Sequence, residues 1–141
     1  DPLEYAVKDI KISANLESTL EMPLESLIDF CPASEWLSKE KITTNNPLIL
    51  TINFDQIYKL SRMVYIPRSR DHKGHILKIR IAISKDGLNY SEWSAPYDWN
   101  DDAKNKVIGL RDVVAKSIKL HITDAVDGVV SGKELLFFKA K

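Results

Sequence analysis

Tyr65-Ile66-Pro67-Arg68 is followed by Gly74 and then by a run, Leu77–Ser84, in which apolar and polar side chains alternate. A period of two is typical of a β-strand with one buried face and one solvated face. The run is followed by Asp86-Gly87, where glycine supplies the positive φ that a tight hairpin turn requires. This stretch therefore predicts antiparallel β-structure.

The same alternation recurs along much of the chain. It covers Leu48–Phe54 and the segment from Ile118 to Ile122, and further strands are predicted at Lys8–Ser13, Lys59–Ile66, Lys106–Leu110 and Glu134–Lys139. The last of these is apolar on both faces, which predicts a central or well-covered strand. Residues 20–40 are the least strand-like and are expected to hold one short helix or irregular loops. Short strands without long helical segments between them favour an antiparallel sandwich, which we expect to form one domain over residues 1–141.

Composition excludes several classes of protein. The 141 residues carry 20 basic and 20 acidic side chains, so neither nucleic acid nor an anionic membrane would attract the chain by bulk charge. Cys31 is the single cysteine, which excludes an intramolecular disulfide and a cysteine-based metal cluster. The first residues, Asp1-Pro2-Leu3-Glu4, do not resemble a start or a signal peptide, and this indicates a mature fragment or an excised domain.

Four blocks of sequence, taken in order, resemble the discoidin (coagulation-factor C-type) family and, within it, the family 32 carbohydrate-binding modules. The blocks are Ile28–Ser38, Pro47–Asp55 with Tyr65–Arg68 and Gly74, Ile83–Ser91, and Ala115–Leu120 with Ser131–Leu135. The resemblance covers nearly the full chain. It implies an all-β fold, an eight-stranded antiparallel β-sandwich of the discoidin jelly-roll type (galactose-binding-domain-like), with recognition loops at one end and Trp36 in the core.

The resemblance also implies a structural calcium ion. Its ligands would be Asp29, Ser34 and Glu134, helped by main-chain carbonyls near Ser26 and Cys31. Calcium takes six to eight hard oxygen ligands, which these groups supply. Two positions depart from the family pattern, because Phe30 replaces a glycine and Cys31 replaces a side chain that carries oxygen. The alternative is that Asp29 and Glu134 are hydrogen-bonded loop anchors.

The family's galactose-binding positions are mostly changed. The resemblance assigns them to Leu37 in place of histidine, Arg68, Lys73 in place of asparagine, and Val129 or Val130 in place of an aromatic residue. Sugar recognition needs an apolar platform as well as polar groups that fix the hydroxyls. Since only Arg68 matches, standard galactose binding is not expected.

A shifted ligand site is predicted in the loop that follows Pro67. Its basic side chains would form a local positive patch suited to the carboxylate or sulfate of an acidic glycan. Trp93 and Trp99 would offer a stacking face. The predicted ligand-binding residues are Arg68, Arg70, His72, Lys73 and Trp93, with His75 in the same loop. The alternative is that the charges are solvated and that the tryptophans cover the edge of the sandwich.

The sequence offers no catalytic constellation. It has no nucleophile elbow, no His-Glu-x-x-His motif and no phosphate-binding glycine loop. His72, His75 and His121 do not form a triad pattern, and Asp101-Asp102 is interpreted as a solvated turn. An enzyme active site is therefore not predicted.

The resemblance implies a non-catalytic accessory domain of a secreted or surface bacterial glycan-processing protein. Such a domain would be extracellular, at the cell surface or periplasmic, and its partner would be a glycan, acidic or neutral. The alternative is a structural or protein-interaction sandwich that has lost sugar binding and packs against neighbouring domains of its parent protein. Binding to membrane lipid ranks last, because it would need apolar spikes on the loops and a terminal disulfide.

Overall fold

The computed structural model describes residues 3–141, so the first two residues of the predicted domain lie outside the described part. The strands within that part are β1 (Ile10–Ala14), β2 (Trp36–Leu37), β3 (Leu48–Ile66), β4 (Ile76–Ser84), β5 (Tyr97–Asp98), β6 (Lys106–Ala125), β7 (Ser131–Gly132) and β8 (Glu134–Lys139). Short 3₁₀ segments cover Leu3–Tyr5, Leu24–Ile28 and Val126–Gly128. The strand pairs are antiparallel, as the alternating sequence predicted.

Two long strands build both layers of the sandwich. The first half of β3 lies between β1 and the second half of β6. The second half of β6 also pairs with β4, and β4 pairs with β5. The second half of β3 lies between the first half of β6 and β8. The register shifts between Asn53 and Tyr58 mark the corner at which the chain passes from one layer to the other.

The apolar faces of the two layers meet in one core. It contains alternate residues of β3, among them Leu48, Leu50 and Ile52, together with Trp36, whose predicted burial is confirmed. Across the layers the Phe54 and Phe137 rings meet edge to face with centroids 5.4 Å apart. Each fully buried side chain of this size stabilises the fold by about 1.5–3 kcal/mol through removal from water.

The outward face of β8 explains why that strand is apolar on both sides. Leu136 and Phe138 pack with Ala6 and Val64 in a second, smaller cluster. The free edge of β8 is covered by the segment before β1, since the Val7 amide donates to the Phe137 carbonyl at 2.8 Å. β8 is therefore a covered strand at the edge of its layer, with the bounds that the sequence predicted.

Two predicted strand boundaries are wrong in the same way. The sequence indicated separate strands at Leu48–Phe54 and Lys59–Ile66, but the structure joins them in β3, and it joins Lys106–Leu110 to the segment from Ile118 to Ile122 in β6. The polar interruptions are bulged corners: in β6, Arg111 and Asp112 both have positive φ, 51° and 58°.

The part of the chain that the structure describes contains no helix with the length and hydrophobicity that a membrane span requires.

Candidate functional site

The positions that the family resemblance assigns to sugar contact converge around Ser131. Leu37 pairs with Ser131 between β2 and β7, and the Ser131 hydroxyl donates to the Lys73 carbonyl at 2.7 Å. The amide of the neighbouring Val130 donates to the Ser38 hydroxyl at 2.8 Å. Segments separated by more than 30 residues in sequence are thus joined at one end of the sandwich.

The conformation of the Pro-Arg loop depends on Tyr65 and Gly74. The Tyr65 hydroxyl donates to the Ser131 carbonyl at 2.6 Å, and its ring stacks on Trp99 with centroids 5.5 Å apart and planes 8° apart. Burial raises the pKa of the Tyr65 phenol, so the hydroxyl keeps its proton as a donor. Gly74 has φ 84°; its amide donates to the Val126 carbonyl at 3.0 Å and its carbonyl accepts from the Ser131 amide at 2.9 Å. These contacts fix the loop to the segment before β7.

Arg68 is buried, with 3% of its surface exposed. Its Nη2 lies 2.9 Å from Glu35 Oε1 and its Nη1 lies 3.1 Å from Asp71 Oδ1, while Nη2 also contacts Met22 Sδ at 3.3 Å. Glu35 Oε1 lies 2.6 Å from Arg70 Nη2 as well. The sequence predicted a local positive patch here, but acidic partners neutralise much of its charge.

The histidines of the loop share one acidic partner. His72 Nδ1 and His75 Nδ1 lie 2.8 and 2.9 Å from the same oxygen, Asp101 Oδ1. The His72 ring beside Asp101 holds the pKa of that carboxyl below its usual range. His75 is buried, whereas His72 is exposed. Asp101 and Asp102 lie in a bend, as the sequence predicted, and Asp101 is exposed. Asp101 nevertheless has a further role, because its contacts with both histidines make it part of the loop site, the site formed by the loop after Pro67; Asp102 pairs with Lys106.

Trp93 lies away from the other predicted ligand residues. Its ring packs against His121 of β6, with centroids 5.0 Å apart. His121 pairs with Arg80 of β4, which gives the position of Trp93 along that strand. Ile76, at the start of β4, adjoins the basic loop, so Trp93 sits about four residues or roughly 13 Å along the strand from it. The other candidate, Trp99, is partly buried against the core by its stack on Tyr65. None of the contacts of residues 3–141 places Trp93 in the loop site.

Val129 and Val130, at the position of the family's aromatic platform, are both buried. The solvent-facing groups at this end are instead the side chains of Arg70, His72 and Lys73. Next to them, a surface depression of about 370 Å³ is lined by Glu17, Ser18, Thr19, Leu20, Glu21 and Lys39. It adjoins Met22, which contacts Arg68.

The three predicted calcium ligands lie together. The Ser34 hydroxyl donates to Asp29 Oδ2 at 2.5 Å, and the Cys31 amide donates to Asp29 Oδ1 at 2.9 Å. Desolvation opposes ionisation of Asp29, but these hydrogen bonds outweigh it and hold the pKa of that carboxyl below its ordinary value. Glu134 is buried, and neither of its carboxylate oxygens has a hydrogen-bond partner of good geometry. Burial, and then the Asp29 carboxylate nearby, raises the pKa of Glu134 to about 8.

An orphaned buried carboxylate beside a second carboxylate fits a hard cation. Every donor that the three side chains offer is an oxygen, which is the ligand set of calcium. Phe30 does not prevent the loop from curling, since it adopts φ 57°, the left-handed conformation that a glycine would take freely. Its ring packs against the outer cluster of Val64, Leu136 and Phe138, which offsets the backbone strain. The residues present therefore fit the ion.

The acidic members of the loop site were missed by sequence reasoning. Glu35 is 33 residues from Arg68, and Asp101 is 29 and 26 residues from the two histidines. No local pattern links residues at such separations. The sequence did contain one indication, its charge balance. A neutral chain with a dense basic loop must carry acidic residues elsewhere, and Glu35 and Asp101 are two of these that contact the loop.

The sequence pattern of the F5/8 type C domain family matches residues 10–135. Among solved structures, the chain resembles a family 32 module of the Clostridium perfringens protein CpGH89 in complex with GalNAc-β-1,3-galactose, at 25% identity and a TM-score of 0.84, over 94% of this chain and 99% of that one. It also resembles the family 32 module of C. perfringens NanJ in complex with galactose, at 23% identity and a TM-score of 0.84, over 96% and 98% of the two chains.

A curated relative is 30% identical over 118 residues, namely the A type blood N-acetyl-α-D-galactosamine deacetylase of Flavonifractor plautii. The match covers 83% of this chain but 15% of the relative. The chain thus corresponds to a small part of that enzyme's length.

Proposed function

The chain belongs to the F5/8 type C domain family, and we propose that it is a non-catalytic glycan-binding accessory domain of a secreted or surface-exposed bacterial glycan-processing protein. Its action would be to hold an attached catalytic module close to a polysaccharide or glycoprotein, which raises the effective concentration of substrate. It would work outside the cell, at its surface or in the periplasm. Binding by one such domain is expected to be weak, because a shallow site buries little area.

The convergence of loops around Ser131 carries this proposal. The positions that contact sugar in the family are brought together there, although their side chains differ. Solved relatives with the same fold hold galactose or a GalNAc-containing disaccharide. An apolar depression of about 280 Å³ beside Glu134 is a less suitable site, because most of its lining is apolar and offers few groups that could fix the hydroxyls of a sugar.

The side chains at the loop end favour a ligand that carries a carboxylate or sulfate. Arg70 and Lys73 are exposed, and although Arg70 also pairs with Glu35, a guanidinium group has five N–H donors and can hold an anionic group with those that remain. Arg68 is enclosed by Glu35 and Asp71, so its role is to hold the loop in place. The buried valines provide no ring platform, which argues against a neutral galactose residue as the main determinant.

The test is a glycan array that contains neutral, sialylated, uronic-acid and sulfated ligands, followed by titration calorimetry of the best ligand. Arg70→Ala or Lys73→Ala should weaken binding about tenfold to a hundredfold, because a hydrogen bond to a charged group contributes about 1.5–3 kcal/mol. Lys85→Ala is the matched control, since Lys85 is exposed in the turn after β4, at the opposite end of the sandwich. Absence of any ligand on the array, or equal loss with Lys85→Ala, would contradict the proposal.

We further propose that Asp29, Ser34 and Glu134 hold a structural calcium ion. Bound calcium would supply the positive charge that lets two neighbouring carboxylates stay ionised. Asp29 and Ser34 lie in the loop after Leu24–Ile28, and Glu134 begins β8. The ion would therefore join this loop to the end of the second layer, and its role would be structural rather than catalytic.

A second candidate function is an interaction domain that packs against its neighbours and binds no sugar. The specific observation in its favour is that three residues at the sugar positions are closed to a ligand, because Val129 and Val130 are buried and Arg68 is enclosed in ion pairs. An array without hits, together with binding of this chain to a flanking domain of its parent protein, would favour that function.

A further inference from the structure

His72, His75 and Asp101 form a compact cluster at the loop end, and Glu134 is not part of it. One potential ligand atom from each side chain lies within 4.8 Å of the others. Both histidines direct Nδ1 toward Asp101 Oδ1, at 2.8 and 2.9 Å. Two imidazoles and one carboxylate that converge on one point match the donor set of a transition-metal site.

The hydrogen bonding of His75 fixes which of its nitrogens is free. His75 Nε2 lies 2.8 Å from the carbonyl oxygen of Arg68, and because a carbonyl only accepts, Nε2 must carry a hydrogen. The neutral ring then has its lone pair on Nδ1, which faces an oxygen of Asp101 that also bears lone pairs. A cation between the two atoms, a proton or a metal ion, is needed to make this contact favourable.

This arrangement is the one that metal-binding histidines commonly have. A ligand histidine usually donates its other ring N–H to a backbone carbonyl or carboxylate, which sets the tautomer and the ring orientation. Here the ring of His75 is 2% exposed and is held by the Arg68 carbonyl, so it would need no reorganisation on binding. Asp101 follows the segment that Trp99 anchors by its stack on Tyr65.

We propose that His72 Nδ1, His75 Nδ1 and Asp101 Oδ1 bind a divalent transition metal ion, for which zinc is the best match. Zinc accepts two nitrogens and one carboxylate oxygen in tetrahedral geometry, with bonds of about 2.0–2.1 Å and ligand atoms about 3.3 Å apart. The nitrogen–oxygen separations of 2.8 and 2.9 Å need to widen only slightly to reach this spacing. Calcium, which prefers oxygen ligands alone, would not compete for the cluster.

The site would keep an open coordination position. His72 and Asp101 are exposed, so water or an oxygen atom of a bound ligand can complete the shell from the solvent side. The ion would also join the loop of residues 67–75 to the loop that contains Asp101. Its binding would therefore brace the surface on which Arg70 and Lys73 lie.

The test is titration calorimetry of zinc chloride into the whole chain near pH 7.5, with excess calcium present to occupy the oxygen-only site. One zinc ion per chain should bind. His72→Ala or Asp101→Asn should weaken binding about tenfold or more, since changing even an outer partner of a metal ligand costs about that much. Both residues are exposed, so these variants should still fold.

Two variants serve as matched controls. His121→Gln removes the histidine that lies against Trp93, and Cys31→Ser removes the exposed thiol. Both should bind zinc as the parent chain does. In nitrogen NMR spectra of the histidine rings, zinc should shift the Nδ1 signals of His72 and His75 and leave those of His121 unchanged. No binding up to millimolar zinc, binding that survives Asp101→Asn unchanged, or binding lost only with Cys31→Ser would overturn the proposal.

Discussion

The chemistry of individual residues in this protein is set by partners that are distant in sequence. Glu134 is the clearest case, because it begins a strand whose other residues are almost all apolar. Its carboxylate is buried next to that of Asp29, and neither of its oxygens is well hydrogen-bonded. An unpaired buried carboxylate is costly, and the usual outcomes are that it takes up a proton or binds a cation. Either outcome can be measured.

Removal of calcium should make stability depend on pH through Glu134. Its pKa is raised from 4.5 to about 8 in the folded chain, so the folded state binds a proton that the unfolded state releases. This contribution to stability is complete below about pH 4.5 and is lost as pH rises toward 8. In chelator the melting temperature should therefore fall between pH 5 and pH 8.5, and added calcium should raise it more at the higher pH.

Glu134→Gln is the informative variant for this experiment. The amide cannot ionise, so the melting temperature in chelator should lose most of the Glu134-dependent decline, and calcium should no longer raise it. At a free calcium concentration of 100 times the dissociation constant, the parent chain should gain about 2.7 kcal/mol. Glu25→Gln, in the 3₁₀ segment before the same loop, is the control. A melting temperature that calcium leaves unchanged at pH 8.5 would contradict the calcium proposal.

At the scale of secondary structure, the loop end depends on close contacts between short segments. Gly74 is the tightest of these, because it has φ 84° and an added Cβ would lie 2.6 Å from the Ser131 backbone nitrogen. Ser131 is held in β7 by its pairing with Leu37, so the space there cannot open without moving β7. Gly74 directly precedes His75, so the position of His75 in the loop site depends on the close contact between Gly74 and Ser131.

Gly74→Ala should therefore destabilise the fold severely. The methyl group would clash with Ser131, and a non-glycine residue would be forced into a left-handed backbone conformation, so we expect a loss of about 2–4 kcal/mol. Gly109→Ala is the control, since nothing lies within 4 Å of an added Cβ in that strand. Chemical denaturation of both variants gives the comparison. Equal stability of the two would show that the loop adapts to the methyl group.

The elements themselves were predictable where one face is buried and the other solvated. Alternation located most of the strands, and β8 was predicted with its observed bounds. The corners of β3 and β6 were not predictable, because polar residues around Asp55 and Asp112 look like loops in sequence, although each strand continues past them with a shift of register. At the loop end, the sequence identified the basic residues but not Glu35 or Asp101, since ion pairing across 26 or more residues follows from topology.

At the scale of the whole molecule, the two long strands couple the unfolding of one layer to the unfolding of the other. Each contributes one half to each layer, so neither layer can unfold without breaking β3 and β6 at their corners. One cluster of buried side chains runs from Val7 to Phe137 through both layers. A chain built in this way has no part that could retain a core by itself, and we expect its unfolding to be cooperative.

Ile52→Ala tests this cooperativity, because Ile52 is fully buried in the first half of β3 and pairs with both β1 and β6. The cavity should cost about 2–5 kcal/mol, whereas Ile57→Ala, at the exposed corner of the same strand, should cost little. Tryptophan fluorescence reports Trp36 and Trp99 near the loop end and Trp93 beside His121, and far-ultraviolet circular dichroism reports all the strands. Since both layers share β3, the two signals should shift together in Ile52→Ala and remain superimposable as a single transition. If fluorescence and dichroism showed two separate transitions in that variant, the layers would unfold independently. The loop site would then be stabilised by its own ion pairs and metal ligands rather than by the core.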